Sequence, residues 1–223
     1  MTALLAGRRL IVSAGPTYED IDPVRFIGNR SSGKMGFALA AVAAELGAGV
    51  QLVAGPVQLA TPPGVQRIDV RSAAQMHAAV LAALEGGMAT DCYIGAAAVA
   101  DFTPRHAAGD KLKKQPGQDT LLLELVQTRD ILAGVAAHPR RPRLVVGFAA
   151  ETLNVASYAR DKLERKRVDL MCANRVGVAG SGFESDDNAL LVIDAAGERA
   201  LGPGSKLALA RDLLGMIATR LEE

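Results

Sequence analysis

Short apolar runs alternate with longer amphipathic ones along nearly the whole chain, and that alternation constrains the fold more than any other feature of the sequence. Leu10–Ser13 reads as a first strand, and Ser31 or Ser32 can cap a helix that runs to about Gly47. The same logic gives strands at Gly49–Val53 and Val65–Val70, a helix at Ala73–Leu84, a buried strand at Asp91–Ala97 and a helix at Arg129–Ala137. Arg143–Phe148 as strand, Asn154–Arg167 as helix and Val168–Ala173 as strand complete the series. Strands separated by helix-length segments have to run parallel, because the crossover returns the chain to the same end of the sheet. The fold class expected is therefore α/β, a doubly wound and mostly parallel sheet. Its ligands should collect at the carboxyl ends of the strands, near the point where strand order reverses.

Two segments depart from this pattern. Residues 101–119, DFTPRHAAGDKLKKQPGQD, carry proline, glycine and charge without periodicity, and Thr120–Val126 then alternates like an antiparallel strand. They read as a mobile flap joined to a strand. Near the end, Ala189–Asp194 and Glu198–Leu201 flank Ala195-Ala196-Gly197 as a hairpin, before a last helix from about Ser205. No internal repeat or linker interrupts the 223 residues, so one domain spanning 1–223 is expected. The 23 glycines are more than usual, and Gly15, Gly55, Gly147 and Gly202 are placed by this reading at element ends, in tight turns.

Composition narrows the function. Twenty-five Lys and Arg oppose 24 Asp and Glu, a net charge of +1, so the chain lacks the global basic field with which non-specific nucleic-acid binders hold a polyanion. The longest apolar stretches, Phe37–Ala44 and Cys92–Ala100, are far shorter than the roughly 20 residues of a membrane span. The N-terminal stretch MTALLAGRRLIVSAG lacks a cationic segment followed by a cleavable apolar one, so no export signal is expected. Cys92 and Cys172 lack the paired spacing of a disulfide framework or zinc site and sit in apolar strands, as small buried hydrophobes would. A reducing, cytoplasmic setting fits. His77, His106 and His138 have neither metal-ligand spacing nor a nearby carboxylate, and no Ser/His/Asp set stands out.

Chemistry concentrates in a few loops. The first strand is followed by SAGPTYEDIDPVRFIGNRSSGKMG, far longer than the 2–6 residues usual between a strand and its helix. Gly28-Asn29-Arg30-Ser31-Ser32-Gly33-Lys34 has the G-x-x-x-x-G-K spacing of a phosphate-cradling loop. Met35 follows, where such a loop in a nucleotide triphosphatase needs Ser or Thr for magnesium, so the narrower reading is that Ser31–Lys34 offer donors to a phosphate or carboxylate. The plainer alternative is a helix cap with a solvated lysine. In GAAAVADFTP, residues 95–104, small residues at a strand end allow a planar ligand close to the backbone, and Asp101 is placed to meet a metal or sugar hydroxyl. A packing turn capped by Asp101 would leave the same sequence. Lys111-Leu112-Lys113-Lys114 is a local cationic cluster in the flap, or simply a solvated charge run. Tyr158 and Lys162 have the Y-x-x-x-K spacing of short-chain dehydrogenases, which makes an NAD(P)-dependent oxidoreductase the alternative class. That class also needs a glycine-rich turn after the first strand, where Ser13-Ala14-Gly15-Pro16-Thr17 supplies one glycine and a proline.

Taken together, the long first loop, GAAAVADFTP, KLKK, VGFAAET and the CAN…GFESDDN segment resemble phosphopantothenoylcysteine synthetase, the ligase half of the bacterial bifunctional coenzyme A biosynthesis protein. The resemblance covers about Arg9 to Arg220, in order and with matching spacings. It implies a Rossmann-like sheet with an antiparallel flap and dimerisation extension, a homodimer, and a flavin-dependent decarboxylase that is fused or associated in the full-length protein. The reaction implied has two steps. The carboxylate of 4′-phosphopantothenate attacks the α-phosphate of CTP to give an acyl-cytidylate and pyrophosphate, and the amine of cysteine then displaces CMP. Both nucleophiles come from substrates, so the protein has to orient them and offset phosphate charge.

By motif, Asn29 resembles the family's asparagine that holds the acyl-cytidylate, and Lys111 the flap lysine that closes on the triphosphate. The resemblance assigns CTP to Gly95, Ala96, Ala97, Asp101, Lys111, Arg129, Asp130, Ile131, Leu132, Phe148, Lys162 and Lys166. Arg129 departs from the pattern, because many bacterial relatives carry proline there. Arg25, Asn29, Ala98 and the Ser31, Ser32, Gly33, Lys34 loop are assigned to the phosphopantothenate end. Magnesium is expected with the triphosphate, with Asp101 as its protein carboxylate.

Overall fold

The structure, a computed structural model, describes residues 3–114, 116–117, 119–151, 154–175 and 185–223. In chain order its elements are β1 (Arg9–Ala14), β2 (Tyr18–Asp20), β3 (Phe26–Gly28), α1 (Lys34–Glu45), β4 (Gly49–Ala54), β5 (Val65–Asp69), α2 (Ala73–Glu85) and β6 (Cys92–Gly95). There follow β7 (Phe102–Pro104), β8 (Leu125–Gln127), α3 (Ile131–Ala136), β9 (Leu144–Glu151), α4 (Val155–Lys166), β10 (Leu170–Arg175), β11 (Asp187–Asp194), β12 (Gly197–Ser205) and α5 (Lys206–Glu222).

Among the described residues, eight strands form one sheet in the order β12-β11-β10-β9-β6-β1-β4-β5. From β5 across to β10 every pairing is parallel, and β11 and β12 close that end as an antiparallel hairpin. The chain winds outward from β1 through β4 and β5, then returns to lay β6, β9 and β10 on the other side. The order therefore reverses between β1 and β6, which is the place such sheets put a ligand. The doubly wound reading holds.

Side chains alternate across each strand, and this divides the core in two. Leu10, Val12, Leu52, Ile94, Val146 and Cys172 face α1 and α5, whereas Ile11, Val53, Tyr93, Val145 and Met171 face α2, α3 and α4. α5 buries Leu209, Leu213, Leu214, Ile217 and Leu221 at helical spacing, and each such burial contributes roughly 1.5–3 kcal/mol. The two free thiols are buried as expected, and burial pushes both well above the usual thiol range. Among the described residues no helix is long and apolar enough to cross a membrane.

Several boundaries move from their expected places. The β6 strand ends at Gly95, beyond which the Ala96 and Ala98 amides still donate to the Ser13 and Gly15 carbonyls, so the segment follows β1 as far as the Pro16–Ala98 bridge. α3 begins at Ile131, since Asp130 is its cap and accepts from the Ala133 N–H. Thr120–Val126 supplies only the short β8, paired with β7. Gly147 and Gly202 lie inside strands rather than at element ends. At Gly147 the reason is space, because a side-chain carbon there would fall 2.6 Å from Leu132 Cδ2.

Close approach also fixes α1. A side-chain carbon on Gly36 would lie 2.4 Å from Ala14 Cβ, so helix and strand pack backbone to backbone. Gly→Ala within a helix normally stabilises by about 1 kcal/mol. Here overpacking, at about 1–3 kcal/mol, should win because both partners are rigid backbone-borne carbons. Gly36→Ala is therefore expected to lower stability by up to about 2 kcal/mol net, read as a lower urea midpoint with an unchanged m-value. A stabilised variant would contradict the packing described.

Candidate active site

Two connections meet at the reversal of strand order, the long one after β1 and the one after β6. The first contains a hairpin, β2 paired antiparallel with β3, whose strands of three residues were not anticipated from sequence. Tyr18 stacks on Phe26 with ring centroids 3.9 Å apart, and the Arg71 guanidinium lies 5.6 Å from both rings while pairing with Asp20 at 2.7 Å. The hairpin is bolted to the core by Glu19, whose buried carboxylate accepts from the Ala73 N–H at the start of α2.

Hydrogen bonds then stitch the two connections together. Pro16 bridges to Ala98, and the buried Thr17 hydroxyl accepts from the Ala100 N–H at 3.0 Å. Asn29 donates both amide hydrogens across the seam, at 3.0 Å to the Ala98 carbonyl and 3.1 Å to that of Val99. Thr128 secures the far side, donating its N–H to the Asp101 carbonyl and its hydroxyl to the Ala100 carbonyl. Asn29, Ala98 and the small residues after β6 are thus brought together as expected.

The Ser31 and Ser32 cap does not form. α1 is preceded by Gly33 in the left-handed conformation, φ 76°, and no side chain caps it. Ser31 instead accepts from the Gly33 N–H two residues on, a local turn that competes with the cap. Only glycine suits this position, since positive φ disfavours a side chain and Val57 Cγ1 would be 3.0 Å from it. No acidic residue occupies the first turn of α1, so the positive end of the helix dipole meets no carboxylate of its own, an arrangement compatible with an anion. Lys34 pairs with Asp186 at 2.6 Å and draws that carboxyl below its usual range.

The residues assigned to the nucleotide divide between the two faces of the sheet. Leu132 leans on Gly95 and Gly147, Lys166 pairs with Asp130 at 3.1 Å, and Lys162 pairs with Glu151 at 2.6 Å. Burial opposes the charged form of Asp130, but the Ala133 N–H, Lys166 and Arg165 outweigh it and hold its carboxyl below the ordinary range. Phe148, three residues before Glu151 on β9, packs on the α1 and α5 face, so a ligand touching both Phe148 and Lys162 must straddle the strand ends. Arg129 is exposed and lies just outside α3. His77 is half-buried, with burial and then Arg129 drawing its pKa down.

Asp101 is exposed at the end of the β6 connection. Among the described residues no group of three or more His, Cys, Asp or Glu side chains could hold a metal alone. A magnesium ion that keeps its water and its phosphates needs only one or two carboxylates, and Asp101 fits that limited role. The flap leaves from β7 and returns through β8, with Lys111, Lys113 and Lys114 exposed. It rests on the first connection, where the Leu112 N–H donates to Asp22 Oδ2 at 3.1 Å and Arg25 donates to the Leu112 carbonyl at 2.8 Å. Two hollows flank the strand ends. One of about 350 Å³ lies under the flap between Ile21, Leu112 and Leu121–Glu124, and one of about 220 Å³ between Glu151, Tyr158 and Lys162. Neither is the open seam where Asn29 meets Ala98, and the hydrogen-bond pattern locates the site better than enclosure does.

The dehydrogenase reading fails here. The first connection carries a hairpin in place of a glycine-rich turn, Tyr158 is exposed, and Lys162 is committed to Glu151. Sequence reasoning overlooked Thr17, Glu19, Asp22 and Thr128, which organise the seam. Asp22-Pro23 was a turn signal inside the long loop that could have revealed the hairpin.

Comparison with known proteins agrees with this geometry. The model of the DNA/pantothenate metabolism flavoprotein C-terminal domain matches residues 5–221. The coenzyme A biosynthesis bifunctional protein CoaBC of Vibrio cholerae is 50% identical over 214 residues, 96% of this chain and 53% of that protein. The CoaBC of Escherichia coli is 50% identical over 215 residues, 96% of this chain and 52% of that protein. This chain thus spans about half the length of these relatives. A crystal structure of the C-terminal domain of CoaBC superposes with a TM-score of 0.83 at 37% identity, covering 99% of both chains. A Cab2 mutant in complex with phosphopantothenate-cysteine shares the fold, with a TM-score of 0.78 at 15% identity over 96% of this chain and 86% of that one.

Proposed function

The chain belongs to the DNA/pantothenate metabolism flavoprotein C-terminal domain family, and from that premise we propose that it is a phosphopantothenate–cysteine ligase of coenzyme A biosynthesis. The observation that carries the proposal is the likeness to the CoaBC C-terminal domain across 99% of both chains at 37% identity. The site chemistry supports it. An anion-accepting helix start, a seam of small residues and a cationic flap surround one place, and the substrates bring their own nucleophiles.

In this reading the phosphopantothenate carboxylate displaces pyrophosphate from CTP, forming an acyl-cytidylate. The cysteine amine then attacks the acyl carbon, releasing CMP and a proton as the amide forms. The start of α1 with Ser31–Lys34 receives the phosphopantothenate end. The strand ends at Gly95–Ala97 and Phe148, with Asp130–Leu132, Lys162 and Lys166, receive the nucleotide. Lys162 and Lys166 now hold Glu151 and Asp130, so they reach a triphosphate or ribose by exchanging partners. Magnesium carried by the triphosphate would offset the charge on the departing pyrophosphate, with Asp101 as its protein carboxylate.

Two further assignments belong to the same proposal. A homodimer would cover the exposed Phe102, Leu121, Leu122 and Leu125 beside the flap, an apolar group that is unusual on a monomer's surface. A decarboxylase unit, fused or associated, would supply the partner activity implied by the bifunctional relatives.

Pyrophosphate release with phosphopantothenate and each nucleoside triphosphate in turn, with and without cysteine, tests the reading. CTP should give about one equivalent without cysteine and sustained release with it, accompanied by CMP. Absence of CTP-dependent release, or release indifferent to phosphopantothenate, would remove the ligase assignment.

A further inference from the structure

We propose that the turn between β2 and β3 is a latch for the flap, in which Asp22 and Arg25 act as positioning residues that hold the peptide of Lys111 in place. Within this turn, Asp22 Oδ1 accepts from the Val24 and Arg25 amides, both at 2.8 Å, and those contacts close the turn. Oδ2 is surplus to that purpose. It accepts from the Arg25 guanidinium and, at 3.1 Å, from the N–H of Leu112, 90 residues further along the chain. That N–H belongs to the peptide bond joining Lys111 to Leu112. Arg25 completes the grip by donating to the Leu112 carbonyl at 2.8 Å, and the Ala108 N–H donates to the Ile21 carbonyl at 2.9 Å. Three long-range hydrogen bonds therefore converge from the flap on residues 21–25.

The carboxylate is built for this task, because the Asp22 side chain is 0% exposed and its oxygens receive five hydrogen bonds. The neighbouring Arg25 guanidinium, against the opposing effect of burial, holds the carboxyl well below its usual range, so the latch stays charged at any working pH. The Arg25 guanidinium takes part in this grip, which gives it a role at the flap beside the substrate contact expected from sequence. The flap segment itself has exposed lysines on both sides of Leu112, so losing these bonds should free it locally. The value of the latch to catalysis rests on the ligase reading, whereas its existence does not.

Limited trypsin digestion of the whole chain tests it, since the bonds after Lys111, Lys113 and Lys114 lie within the flap. Asp22→Asn preserves an acceptor for the turn amides but turns an NH2 group toward the Leu112 N–H. Cleavage after Lys111, Lys113 and Lys114 should rise about tenfold, the scale expected from losing a hydrogen bond to a charged group under conditions where proteolysis follows opening. The melting temperature and the other cut sites should stay as in the wild type, and sustained CTP-dependent pyrophosphate release should fall by a similar factor. Flap cleavage at the wild-type rate, or cleavage raised throughout the chain, would overturn the latch. If Asp22→Asn fails to fold, Arg25→Lys decides, because it keeps a cation beside Asp22 but shortens the reach to the Leu112 carbonyl. Flap cleavage unchanged in that variant would overturn the proposal equally. A wild type without CTP-dependent pyrophosphate release would sink the ligase reading and leave the digestion result standing.

Discussion

Asn29→Asp is expected to cut amide formation by a factor of about 10²–10³, the cost of removing one donor aimed at developing negative charge. Two consequences of the substitution act in the same direction. The Nδ2 group of Asn29 bonds to the Ala98 and Val99 carbonyls, at 3.0 and 3.1 Å. A carboxylate has no hydrogens to offer and sets its charge against two carbonyl oxygens, so the seam between the first connection and the β6 end should part at this point. A donor to the acyl carbonyl of the proposed intermediate, which Asn29 supplies only by exchanging one of these two carbonyl partners, is lost as well. The effect should fall mainly after the anhydride forms, with the first equivalent of pyrophosphate still released while amide and CMP lag. Asn29 is exposed, so the fold should survive. Single-turnover measurement of pyrophosphate, CMP and amide in one reaction separates the steps, and normal ligation turnover would strip Asn29 of its role.

Why the seam needs an asparagine follows from what surrounds it. The backbone joins the two connections at Gly15, Thr17 and Ala98 and the Thr17 hydroxyl binds the Ala100 amide, and the Asn29 amide extends that seam to the Val99 carbonyl. A neutral amide with two hydrogens joins two carbonyls without bringing a charge to the seam. At the α1 start, likewise, Gly33 is left-handed and no acidic side chain sits in the first turn.

The alternation of apolar runs revealed the parallel sheet, since β1, β4, β6 and β9 each bury a mostly apolar stretch and the segments between strands have the spacing of helices that cover it. The point of reversed strand order, and so the location of Asn29, Ala98 and Asp101, followed from that topology. The β2–β3 hairpin was hidden because strands of three residues are too short for a period of two to register. Ser31 and Ser32 misled because a side chain that can cap a helix can also close a local turn, and the sequence does not say which. Asp22 could not have been paired with Leu112 from local pattern at all, because the contact is set by where the flap lands. Phe148 and Lys162 were placed together by motif, whereas strand parity separates them across the sheet and makes the strand ends themselves the binding edge.

Lys111→Gln should lower sustained turnover by a factor on the order of 10²–10³ with little change in melting temperature, a loss comparable to removing a charge-stabilising group from a transition state. Glutamine preserves much of the length and some hydrogen bonding, so the variant isolates the charge. Lys111 is exposed, and its peptide is held by the latch, which anchors the backbone that carries the ammonium. A cation fixed there can follow charge from the α-phosphate to the leaving pyrophosphate, whereas a solvated lysine elsewhere on the flap contributes only a screened field. Lys114→Gln is the comparison, because it removes the same charge from the same segment and should cost no more than about two- to threefold at physiological ionic strength. The contrast should appear in the rate of pyrophosphate release at saturating CTP, and raising the salt should narrow the Lys114 effect while leaving most of the Lys111 effect intact. Equal losses in the two variants would reduce the flap to a general attraction for polyanions, and near-normal kinetics for Lys111→Gln would take that lysine out of the active site.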